Sequence, residues 1–447
     1  MNFEEFKQAT QRFNVLKRSD VAGSYHFGTA TVSFESLERS DVDAIIQQRE
    51  ILAGGERLSG PQYEAMAKVM PLAAHEYTHF VDSTSTVWGM KLLSCMNSAY
   101  SCSDAFQQDE AQFWNAKRFY DLLRSIALPD YYTVKRGAEN TRPWRATVTA
   151  GQVFDKDGRV TGRPILFQRF SNAADEEMVR SPMSTVSILE SSAMAQETAF
   201  RMGLVSALVE DYGIVERREI SRRLMDYLYN PDITEYSVCV HLAANVLGTP
   251  DVGSAFAVCA VLTRVCLNLT DEAFDELAAD EELMRRVRLP SDHAFSRRMR
   301  DGLRSRDLGT AFHLMTRCLP HKPGLTLDEA EAVARQAIEA LGIDLPSVHA
   351  RAITFGERVE QELKGSQIEP IRWLAEAGLD NLRRINPLAR RLDFAQLHLP
   401  QALLGDSTEF FGLGNPHSPL AARKVDSVFE PLLSGELWVE RFAEGCL

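Results

Sequence analysis

The segment Ala73-Ala74-His75-Glu76-Tyr77-Thr78-His79-Phe80-Val81-Asp82 sets two imidazoles and two carboxylates in an otherwise apolar stretch. Residues four apart on a helix share a face, so His75 and His79 project one above the other. Placing such groups in a core is costly unless something compensates their desolvation. A divalent metal ion is one such compensation. Glu76 stands next to the first histidine, where its carboxylate reaches a metal-bound water. Histidines that simply hydrogen-bond to neighbours are the plain alternative.

Two imidazoles do not complete a catalytic metal site, which usually has three protein ligands and a water. The longer pattern His-Glu-x-x-His-x-x-Gly-x-x-His fails, since position 82 is Asp and position 85 is Ser. Asp82, three residues beyond His79 and on its face, is a candidate to orient a ligand or to serve as one. The best third ligand lies in Ser187-Ile188-Leu189-Glu190-Ser191-Ser192-Ala193-Met194-Ala195-Gln196-Glu197. Glu190 and Glu197 are seven apart on one face of an apolar helix, and small neighbours allow a second helix to approach closely. Glu190 comes first, Glu197 second, with Asp82, Glu210 and Asp211 behind them.

Formal net charge is 49 − 62 = −13, which repels phosphate backbones and argues against general nucleic-acid binding. Arginine clusters at 217–218, 222–223, 297–306, 383–384 and 390–391 read as solvated helix faces with carboxylate partners nearby. The amino terminus has no basic region followed by an apolar core, and no uninterrupted apolar run is long enough to span a bilayer. Seven scattered cysteines without a Cys-x-x-Cys pair fit reduced thiols in a cytoplasmic protein.

Ser59-Gly60-Pro61 marks the start of a helix that runs through Pro71 into the motif. Aromatic and β-branched residues over 24–36 predict one or two strands, and Asp155-Lys156-Asp157-Gly158 between β-prone runs predicts a hairpin. From Ser184 onward apolar residues recur at helical spacing almost throughout. The expected fold is α+β and predominantly α-helical. A catalytic core over residues 1–215 carries a small β element, and a helical region over 216–447 covers the site, regulates it or binds a partner protein.

His75-Glu76-Tyr77-Thr78-His79 together with a later helical Glu190 resembles the gluzincin group of zinc metallopeptidases. The resemblance implies a zincin-like core and Zn2+ held by His75, His79 and Glu190. It also implies a protein or peptide substrate, with Glu76 as general base for a zinc-bound water. Many members carry an Asp four residues after the ligand glutamate; Met194 stands there instead. A further hydrogen-bond donor, commonly Tyr or His, stabilises the oxyanion in such enzymes. Tyr131, Tyr132, Tyr236 and His241 are candidates, with Tyr236 and His241 on one helix. Two rivals stand beside this reading: a non-catalytic helical interaction protein, and a metal-dependent hydrolase of a non-peptide substrate.

Overall fold

The computed structural model describes residues 1–10, 15–16, 22–53, 57–104, 112–155 and 157–445. The chain is α+β and mainly helical. It opens with α1 (Phe3–Thr10), β1 (Ser24–His26), β2 (Thr31–Phe34) and α2 (Arg39–Ala53). The motif helix α3 (Gly60–Thr84), then α4 (Val87–Tyr100) and α5 (Phe113–Ile126), follow. Next come β3 (Val134–Lys135), β4 (Arg145–Phe154), β5 (Val160–Ser171) and β6 (Glu177–Pro182).

The helical half comprises α6 (Thr185–Ser206), α7 (Glu210–Leu228), α8 (Thr234–Leu247), α9 (Val252–Leu267), α10 (Asp271–Ala279) and α11 (Leu283–Arg286). It continues with α12 (Ala294–Arg304), α13 (Leu308–Arg317), α14 (Ala330–Leu341), α15 (Leu345–Leu363) and α16 (Glu369–Arg384). Two short strands, β7 (Ala402–Leu404) and β8 (Glu409–Phe410), precede the terminal α17 (Val425–Gly445).

Two four-stranded sheets flank the helices. The hairpin expected around Asp155 is β4–β5, paired antiparallel with Gly151 opposite Ile165, and Gly158 takes a φ of +75° in its turn. This sheet has the order β3-β6-β5-β4. The other has the order β1-β2-β7-β8, and β2 pairs parallel with β7, Val32 opposite Ala402. That pairing ties the amino-terminal strands to residues nearly at the other end of the chain. One buried core runs from Leu16 to Val439, so it crosses residue 215, the boundary expected between the two regions.

The helix α3 starts with a capping box in which Ser59 and Gln62 satisfy each other's backbone donors. Pro71 lies inside it and removes one backbone donor, yet the helix continues through the motif to Thr84. From Ala73 to Thr84 every residue is buried, which is possible because α3 is covered by β1 and β2, by α4, and above all by α6. Packing on several sides at once explains why this stretch shows no polar face. No single helix among the described residues is long and apolar enough to cross a membrane.

Candidate metal centre

His75, Glu76 and His79 ride on the buried length of α3, and Glu190 comes from the first half of α6. Ser184 caps α6 by accepting from the Ser187 backbone, which fixes where the helix begins and so which residues face α3. Ser191, Ser192 and Ala195 on α6 are small, and the two helices pack side by side. Gly23 closes the other side. A Cβ there would come within 3.3 Å of the Glu76 side chain and 3.0 Å of the Ser33 carbonyl, so a larger residue would push on the motif glutamate.

The ligand atoms converge. His75 Nε2 and His79 Nε2 lie 3.2 Å apart. One oxygen of Glu190 is 3.6 Å from His75 Nε2, and the other is 3.6 Å from His79 Nε2. A tetrahedral zinc ion with bonds of about 2.0–2.1 Å separates its ligand atoms by about 3.4 Å. The nitrogen–nitrogen spacing and the two nitrogen–oxygen spacings, each to a different Glu190 oxygen, are therefore close to those between ligands of one such ion. All three residues are buried, and each offers an atom within 4.8 Å of the others. The residues fit a single small divalent ion.

Glu197 fixes the tautomer. Its Oε2 lies 3.0 Å from His75 Nδ1, so once the ring is neutral its proton sits on Nδ1 and the Nε2 lone pair faces Glu190 and His79. Arg201 holds the other carboxylate oxygen through Nε at 3.0 Å and Nη2 at 2.8 Å. Burial opposes charge on His75, but the Glu197 hydrogen bond and the carboxylates of Glu76, Glu190 and Glu197 outweigh it and push the imidazole up to about 10. Burial likewise opposes charge on Glu197, but His75 and Arg201 hold it down at about 2. Burial first and the His75 charge second drive His79 well below its usual range. The Nδ1 of His79 has no hydrogen-bond partner among the described residues.

The Asp82 carboxylate interacts with the Ser192 side chain and with the charge of Arg264 on α9. Burial raises it to about 7, with Ser192 and Arg264 opposing. Of the two carboxylates, Glu197, one helical turn beyond Met194, is the one in hydrogen-bond contact with His75.

His241 is displaced from the site altogether. Its Nε2 donates to the Leu228 carbonyl at 2.7 Å, and its ring stacks on Trp144 with an interplanar angle of 13°. Tyr132 packs with Ile165 and Phe167 and accepts from the Phe154 backbone at 2.7 Å, while Tyr131 is exposed. Asp211 is exposed, and the side chain of Glu210 lies outside the described residues. Tyr236 does reach the site: it lines a pocket of about 360 Å³ together with His75, Glu76, Glu190 and Glu197.

Two side chains of that pocket carry no mark in the sequence. Arg201 braces Glu197 from one turn further along α6. Tyr227 on α7 enters the same pocket, and its hydroxyl is buried without a hydrogen-bond partner among the described residues. Burial, with Glu190 and Glu197 behind it, pushes the Tyr227 phenol well above its usual range, so it stays protonated and able to donate. Comparison with protein-family models, with curated proteins and with solved structures finds no match to this chain.

Proposed function

We propose that this protein is a zinc-dependent metallopeptidase of the gluzincin type, with His75, His79 and Glu190 as ligands and Glu76 as general base. The observation that carries the reading is the convergence of three buried ligand atoms on one point, beside a second carboxylate, in the wall of an accessible pocket. A zinc ion held by His75, His79 and Glu190 would supply a Lewis acid for the scissile carbonyl and would lower the pKa of the attacking water. Glu76 takes the proton from that water and passes it to the departing amine. The Tyr227 hydroxyl, lacking any other partner among the described residues, donates to the carbonyl oxygen as negative charge develops there. Tyr236 lies in the same wall and confines the substrate. Glu197 and Arg201 keep the His75 ring from rotating.

A zincin-like core agrees with the packing of β1 and β2 against the motif helix and of the Glu190 helix along its other side. The six described cysteines are all unpaired, which supports a reducing, cytoplasmic setting. The test is cleavage of a proteome-derived peptide mixture by zinc-loaded protein. Wild type creates new peptide termini, a chelator abolishes them, and Glu76→Gln creates none. Equal numbers of new termini from wild type and Glu76→Gln would overturn the proposal.

A further inference from the structure

A helix laid on a protein body turns apolar residues inward and polar residues outward. Along its inner side α7 obeys this rule. Gly213, Ile220 and Leu224 are buried, and Glu216 on the same side accepts from the Tyr63 hydroxyl at 3.2 Å. Its amino-terminal end breaks the rule. Val209, Tyr212, Ile214 and Val215 are 53%, 69%, 48% and 63% exposed. They are four of the ten large hydrophobic residues exposed among the described residues, and they fall within seven consecutive positions. Single apolar residues on a surface need no explanation, but a contiguous group of them marks a contact surface.

The order of the residues says what fits there. Asp211, Ile214, Val215 and Arg218 stand at i, i+3, i+4 and i+7, so they form one diamond on the outward face. All four are exposed. The apolar pair is at the centre, with an acid at the amino-terminal tip and a base at the carboxy-terminal tip. Turned about a two-fold axis between Ile214 and Val215, the diamond matches itself. Ile214 meets Val215 of the second copy, and Asp211 meets Arg218 of the second copy, at both ends. This is the self-complementarity that a two-fold interface requires. The same arrangement runs the two helices antiparallel, which sets opposite ends of their macrodipoles side by side. A different partner would have to supply both the apolar centre and the reversed charges, whereas a second copy already carries them.

We propose that this face of α7 is the interface of a reversible homodimer, formed by antiparallel pairing with α7 of a second copy of this chain. Two turns of one helix are small beside a standard interface of about 800 Å² per partner, so the dimer depends on concentration. None of the four diamond residues lines the pocket of His75 and Glu76, so the test needs no peptidase activity.

Sedimentation velocity of the full chain over a range of concentrations measures the association. The mass is expected to rise from that of one chain towards that of two. Asp211→Arg sets base against base at both ends of the diamond, and Arg218→Asp sets acid against acid. Each should weaken association about tenfold or more. Mixed in equal amounts, the two variants carry opposite charges at each contact, and a heterodimer about as strong as the wild-type dimer should form. Thermal melting of each variant alone confirms that it folds. A chain that stays single at every concentration would overturn the proposal and leave the face to a partner of another kind. A dimer that neither variant weakens, or one that the mixture fails to restore, would overturn it as well.

Discussion

Glu197 Oε2 lies 3.0 Å from His75 Nδ1, while Arg201 grips the opposite oxygen of the same carboxylate. This chain of two contacts decides which nitrogen of His75 faces Glu190. Removing such an outer carboxylate typically costs about 10–100-fold in metal affinity. Glu197→Ala is accordingly expected to bind zinc 10–100-fold more weakly than wild type in a chelator competition, and Arg201→Gln to fall in between. Unchanged affinity in Glu197→Ala would remove Glu197 from the site.

Proton release should accompany metal binding. With His75 at about 10 in the metal-free protein, neutral solution finds it protonated. A ligating imidazole must be neutral, so loading displaces that proton. Zinc affinity should therefore rise by about tenfold per pH unit between pH 6 and 8. Titration calorimetry in buffers of different ionisation enthalpy should count about one proton released per zinc. The Glu197→Ala variant, lacking the hydrogen bond that most strongly supports the charge, should release less.

Tyr227→Phe separates catalysis from structure. Its hydroxyl has no hydrogen-bond partner among the described residues, so deletion should leave the melting temperature unchanged or slightly higher. Loss of an oxyanion donor lowers kcat by about 10²–10³, with KM and zinc content close to wild type. A larger kcat effect in Tyr236→Phe than in Tyr227→Phe would transfer the role to Tyr236.

A second buried pair gives a stability test far from the metal. His26 Nε2 and Glu436 Oε1 lie 3.5 Å apart, both almost fully enclosed. Burial drives His26 down to about 3, and burial with Glu440 raises Glu436 to about 8, so both are neutral near pH 7. For Glu436 the unfolded chain loses its proton near 4.5 while the folded chain keeps it up to about 8. Its contribution to stability is thus whole below pH 4.5 and is lost progressively as pH rises towards 8. Glu436→Gln, neutral at every pH, should gain melting temperature over wild type as pH rises from 5 to 9. A constant difference across that range would refute a buried ionisation.

Much of the site could be read from the chain because the helix period alone sets His75 and His79 together. The apolar, small-residue context of Glu190 marked the partner helix. Asp82 and Glu197 were harder, because spacing says which residues share a face but not which neighbour that face meets. Asp82 shares His79's face yet interacts with Ser192 and Arg264, partners set by the packing of α6 and α9. Tyr227 sits on a helix of alternating charge whose pattern gives no sign that it touches α6. The expected strands at 24–36 and the hairpin appear, because β-branched runs and an Asp-Gly turn are local signals. β7 and β8 escaped notice, being three and two residues long; β7 takes its register from β2 and β8 from β7, rather than from any local pattern.

The central claim is that His75, His79 and Glu190 together hold one zinc ion beside Glu76. Elemental analysis of the purified full chain after zinc loading and gel filtration measures it directly. The account predicts about one zinc per chain in wild type and in Glu76→Gln, which keeps all three ligands. It predicts a large loss in His79→Ala and Glu190→Ala, each still folded by circular dichroism. A wild-type protein without zinc, or a Glu190→Ala protein that retains it fully, would contradict the account.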